Sequence, residues 1–170
     1  MGRDRKNEQR TEQFTKMIRN TMEAPAWRAL STTAQALYPW LKLEWKGPQA
    51  NNNGQISLPV REAAARLGCN PKTAGKAFQD LQAKGFIILT EFGRMGVEGK
   101  GTPPTYEITE LATRGGDHPA GRKLYLHWKE DHDFPVREHT PSNPTGKNGK
   151  NKIPSQKTGR IIPIKGTKKS

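Results

Sequence analysis

Gly68-Cys69-Asn70-Pro71 places the tightest constraint on how this chain can fold. Glycine suits the end of a helix, asparagine an N-cap and proline a first helical position. One helix is therefore expected to end at Gly68 and another to begin after Asn70. The flanking patterns agree. Val60, Ala63, Ala64 and Leu67 form an apolar stripe before the turn, with Pro59 suited to the first turn of that helix. Ala74, Ala77, Phe78 and Leu81 form a second stripe at i, i+3, i+4 and i+7, which Gly85 closes.

A further helix is expected upstream. Ser31 is its cap, Gln35 lies near the capping-box position, and Ala34, Leu37, Tyr38, Leu41 and Trp45 share one face. Pro39 inside it predicts a kink or an early break, and Lys46-Gly47-Pro48 predicts the stop. Asn51-Asn52-Asn53-Gly54 reads as a turn and Gln55–Leu58 as a short strand. Downstream, Phe86–Thr90 and Thr105–Thr109 read as partner strands across a connection rich in glycine and proline. This order predicts an α+β fold, a winged helix-turn-helix: a three-helix core with a small antiparallel β-wing over residues 25–112.

The charge lies mostly elsewhere. The 170 residues carry 29 Lys+Arg against 16 Asp+Glu, a net +13. Residues 25–112 contribute 10 basic and 7 acidic groups, whereas residues 139–170 contribute eight basic groups and none acidic. Those eight are Lys147, Lys150, Lys152, Lys157, Arg160, Lys165, Lys168 and Lys169. With four prolines and no aromatic residue, this segment is expected to be a disordered basic C-terminal tail. It reads either as a solubiliser or as an arm that seeks phosphates without reading sequence.

Residues 1–24 read as a basic arm and a short amphipathic helix whose face is Phe14, Met17, Ile18, Thr21 and Met22. That face is expected to pack on the domain, with a homodimer contact as the alternative. Residues 113–138 read as an extension that packs back through Leu124–Trp128. Trp27, Leu30, Trp40 and Trp45 are expected in the core or at an interface.

A helix that enters the major groove needs an outer face rich in donors and free of bulky apolar groups. Opposite the stripe of the second helix lie Lys72, Thr73, Gly75, Lys76 and Gln79, preceded by Pro71. Lysine can donate to guanine and glutamine can pair with adenine. The glycine invites close backbone approach. Arg94 and Lys100 in the loop between the strands would act from the wing, and Arg61, Arg66 and Asn70 are candidate phosphate contacts. The bland alternative is a solvated face on which Asp80 pairs with Lys76 or Lys84.

The segment from Ala63 to Ile87 resembles the DNA-binding domains of the gluconate-repressor (GntR) type. Ala64, Gly68, Asn70, Thr73, Ala77, Leu81 and the closing Gly85-Phe86-Ile87 carry the likeness. Cys69 and Ala74 stand where a larger aliphatic residue is commoner. A wider stretch, from Ala26-Trp27-Arg28-Ala29-Leu30-Ser31 through Asn52-Asn53-Gly54 to Gly85-Phe86-Ile87, resembles a family of alphaproteobacterial helix-turn-helix proteins, many borne on phage- or plasmid-derived DNA. These resemblances imply a partner, double-stranded DNA, and an origin on a mobile element.

No phosphate-loop, dinucleotide or hydrolase motif is present. The four histidines are scattered, and Cys69 in the turn reads as a small buried filler. No cofactor, metal site or enzymatic activity is expected. No apolar run suits a membrane span or a signal peptide, so a cytoplasmic protein that avoids membranes is expected. The functional expectation is a sequence-preferring duplex-DNA-binding protein, most simply a repressor-like transcriptional regulator. The alternatives are a plasmid or prophage replication or partition accessory protein that recruits replication machinery at an origin, and a winged-helix module that binds protein or RNA.

Overall fold

The computed structural model describes residues 14–94 and 101–137, and the backbone of 138 and 160–162. Helices α1 (Arg19–Glu23), α2 (Pro25–Arg28), α3 (Thr32–Leu43), α4 (Val60–Leu67) and α5 (Pro71–Ala83) precede strands β1 (Ile87–Glu91) and β2 (Thr105–Ile108). A 3-10 helix at Leu124–His127 follows, then strands β3 (Val136–Glu138) and β4 (Arg160–Ile162). The fold is mixed helix and strand, and β1 and β2 pair antiparallel. Among the described residues no helix is long and apolar enough to cross a membrane.

The turn centred on Gly68 and Asn70 forms as the sequence dictates. Gly68 ends α4 at φ +64°, and the Asn70 side chain accepts the Thr73 N–H at 2.8 Å at the start of α5. Ser31 caps α3 by accepting the Ala34 N–H. No capping box forms with Gln35, whose amide donates instead to the Trp27 carbonyl at 2.9 Å. The Ser31 N–H goes to the Asp80 carboxylate at 2.7 Å, which ties the start of α3 to α5. Asp80 is thereby engaged away from Lys76 and Lys84, and Lys84 pairs with Asp133.

α3 passes through Pro39 without ending. The ring removes one backbone hydrogen bond, but Leu37, Tyr38 and Leu41 around it are fully buried, and packing holds the helix together. The helix stops at Leu43, before Lys46-Gly47-Pro48, so Trp45 lies beyond it. The expected strand at 55–58 reduces to one bridge, Ile56 to Tyr106. The asparagine run does more than turn the chain. Asn53 is buried, and its side chain accepts the Ile108 N–H at 2.7 Å and donates to the Ile108 and Ala112 carbonyls.

The core gathers buried residues of α2 to α5 with β1 and β2. Trp27, Tyr38 and Phe86 meet edge-to-face, and Tyr125 stacks on Phe86 at 4.8 Å between ring centres. Residues 113–138 touch this core through Tyr125 and through the Phe134 N–H donated to the Ala83 carbonyl. Gly85 is needed twice over at this point. Its φ is +77°, and a Cβ there would lie 2.7 Å from the Phe134 ring.

Two expectations about the ends change. Residues 14–18 are not helical, and α1 holds five residues before Ala24 turns extended ahead of Pro25. Thr21 is buried and Met17 packs on the core, but Phe14, Ile18 and Met22 stay exposed. In the segment expected to be disordered, Arg160–Ile162 pairs antiparallel with Val136–Glu138. Two adjacent β-branched residues, Ile161 and Ile162, suit such an edge. The remainder of that segment lies outside the described residues.

Candidate nucleic-acid interface

α5 buries Ala74, Ala77, Phe78 and Leu81, and this orients everything else on the helix. Pro71, Lys72 and Lys76 are exposed on its outer side, while Thr73, Gly75 and Gln79 are half-buried flanks. Lys72 and Lys76 form no ion pair with a described residue. Both ammonium groups lie on a helix whose opposite face is locked in the core. Asn70 and Thr73 are engaged with each other: Asn70 Oδ1 accepts both the Thr73 N–H and, at 3.1 Å, its hydroxyl.

Gly75 faces α4. A Cβ built on it would meet Val60 Cγ1 at 3.9 Å, an ordinary contact. Alanine would fit there, so this helix packing does not by itself require the glycine.

On α4, Arg61 and Arg66 part ways. Arg61 is exposed without an ion pair to a described residue. Arg66 is bound inward, one nitrogen to Glu44 at 2.7 Å, another to Glu62, with its guanidinium 5.2 Å from the Trp40 ring centre. Its hydrogen bond to Glu44 holds the guanidinium pKa above the usual value. An arginine so neutralised offers a phosphate much less than Arg61 does.

At the hairpin, Arg94 and Thr102 exchange backbone hydrogen bonds of 2.9 and 2.7 Å, closing the neck of the loop between β1 and β2. The Arg94 side chain is exposed there. Lys100, and among the basic tail residues Lys147, Lys150, Lys152, Lys157, Lys165, Lys168 and Lys169, lie outside the described residues.

The sequence reading missed Glu110 and Lys42, the buried centre of a side-chain network. Glu110 accepts from the Tyr38 hydroxyl, Lys42 Nζ and the Thr21 hydroxyl, each at 2.8 Å, and Thr21 lies 3.2 Å from the Tyr125 hydroxyl. This network joins α1, α3, the end of β2 and the 3-10 helix. Burial and the neighbouring Glu110 charge push the Tyr38 pKa well up. A signal was available: Lys42 stands four residues after Tyr38, on the apolar face of α3. Arg137 was missed as well; it donates to the Leu89 carbonyl at 2.8 Å and covers Phe92, clamping the extension onto β1.

No family model, curated protein or solved structure matches this chain.

Proposed function

We propose that the chain is a winged helix-turn-helix protein that binds double-stranded DNA with sequence preference, with α5 as its reading helix. The observation that carries this reading is the exposed pair Lys72 and Lys76 on the outer face of a helix anchored by Ala74, Ala77, Phe78 and Leu81. Two cations one helical turn apart, uncompensated by described carboxylates, match the donor pattern that guanine edges and phosphates accept. Thr73 and Gln79 flank them, Pro71 opens the helix, and Gly75 lies on the flank that faces α4.

Around this face, Arg61 on α4 would hold backbone phosphate, and Arg94 at the neck of the β1–β2 loop would act from the wing together with Lys100. Asn70 contributes by capping α5 at the Thr73 N–H, which fixes where the helix and its positive dipole end begin. Arg66 supports α4 from within. The tail lysines would add affinity that is blind to sequence. A repressor-like regulator is the simplest role, because occupancy of a site is sufficient to block transcription from it.

The test is selection of bound duplexes from a random-sequence library by the full chain, followed by competition with single-stranded DNA and RNA. One enriched motif, and preference for duplex in competition, is the expected result. Retention without enrichment, or equal competition by RNA, would overturn the reading.

A further inference from the structure

We propose that the groove between residues 14–18, the C-terminal turn of α3 and the end of β2 binds a small dianionic ligand with a planar apolar body. The groove encloses about 750 Å³, within the range of roughly 300–1,000 Å³ usual for small-molecule sites. Its residues belong neither to α5 nor to the β1–β2 hairpin, so it stands apart from the DNA reading.

The walls are apolar, formed by Ile18, Leu43, Trp45 and Leu111. Trp45 is preset. Its indole N–H donates to Asn51 Oδ1 at 2.9 Å, and Asn51 donates onward to the Ala112 carbonyl at 3.1 Å. The ring is therefore tied to the backbone after β2 and offers a fixed surface to a flat ligand at little cost in side-chain entropy.

Charge selects the class of ligand. Among the described residues lining the groove are three lysines, Lys16, Lys42 and Lys46, and one carboxylate, Glu110. Glu110 is committed: three donors already occupy its two oxygens. Lys42 compensates it from the floor, with only 5% of its side chain exposed. Lys16 and Lys46 are exposed and form no ion pair with a described residue. The lining thus carries an excess of two positive charges beside an apolar wall. A cationic ligand meets repulsion there, and a neutral one leaves both lysines unanswered. A flat dianion satisfies wall and rim together.

The probe is 2,6-naphthalenedicarboxylate, titrated into the full chain while the tryptophan indole N–H signals are followed by NMR. Saturable movement of the Trp45 signal is expected. The neutral isostere 2,6-naphthalenedimethanol should bind about tenfold more weakly, equivalent to about 1.4 kcal/mol. Lys16→Gln and Lys46→Gln, both at exposed positions, should each weaken the dianion by about threefold, with melting temperatures unchanged. Equal affinity for the neutral isostere would reduce the groove to an apolar surface. Unchanged affinity in both lysine variants, or movement of Trp40 in place of Trp45, would likewise overturn the proposal.

Discussion

The ammonium of Lys42 and the carboxylate of Glu110 meet at 2.8 Å with 5% and 2% of their side chains exposed. Few charged pairs sit so deep without help, because removing two ions from water costs several kcal/mol each unless remaining polar sites are satisfied. Here they are satisfied. Thr21 and Tyr38 donate to Glu110, and the Lys16 carbonyl accepts from Lys42. Four parts of the chain that share no regular hydrogen-bond ladder are thereby held at one point.

Glu110→Gln should therefore cost about 3 kcal/mol or more, because a buried lysine loses its counter-charge. Urea unfolding monitored by tryptophan fluorescence measures it. A loss below about 1 kcal/mol would place the pair in the class of solvated surface bridges. Lys42→Met with Glu110→Leu should recover part of the loss, since both charges leave together.

Stability should fall at high pH through the tyrosines. All three, Tyr38, Tyr106 and Tyr125, have pKa values raised chiefly by burial. A group whose folded pKa exceeds its unfolded value stabilises the fold below the unfolded value, near 10, and that contribution is lost as pH climbs toward the folded one. Phenolate absorbance should stay low past pH 10 and then rise together with loss of tertiary structure. Early ionisation of all three rings in a still-folded protein would contradict their burial.

Lys76→Ala and Arg66→Ala should separate reading from scaffolding. Loss of a base contact by Lys76 should cost about 1–3 kcal/mol for the preferred duplex and much less for others. Arg66→Ala should lower stability by about 1 kcal/mol, because its two ion pairs are partly exposed, and leave base preference intact. Fluorescence anisotropy on preferred and scrambled duplexes gives both numbers.

Gly85→Ala should destabilise by more than about 1 kcal/mol, the usual penalty for alanine at positive φ, because a methyl there also meets the Phe134 ring. Adding Phe134→Ala should remove the clash with that ring, while the approach to the Tyr125 backbone N at 3.0 Å remains. The double variant should therefore lose less than the sum of the single losses, which thermal unfolding of all three proteins can measure.

Deleting residues 139–170 removes eight positive charges and no negative ones. If all eight meet phosphate, the logarithm of affinity should lose a dependence on log salt of about −0.9 per contact, near −7 in total. Affinity measured across a salt series tests this. An unchanged slope would make the segment a solubiliser.

Local chemistry wrote the turn into the sequence. Gly68, Asn70 and Pro71 each act within a few residues, and the stripes on α4 and α5 follow a fixed helical period, so both helices and the outward lysines were legible without tertiary information. The same locality explains the errors. Trp45 continues the α3 stripe in sequence, but the helix ends first and Asn51 takes the indole. Arg61 and Arg66 look alike in sequence, yet only Arg66 has Glu44 within reach, 22 residues away and just past the end of α3. Glu110 stands beside a modest strand, and nothing near it in sequence announces Thr21, Tyr38 or Lys42. Helix boundaries and exposed donors arise from neighbouring residues and periodicity. Which charges are free and which are consumed depends on partners brought together across the fold, and only the tertiary structure decides that.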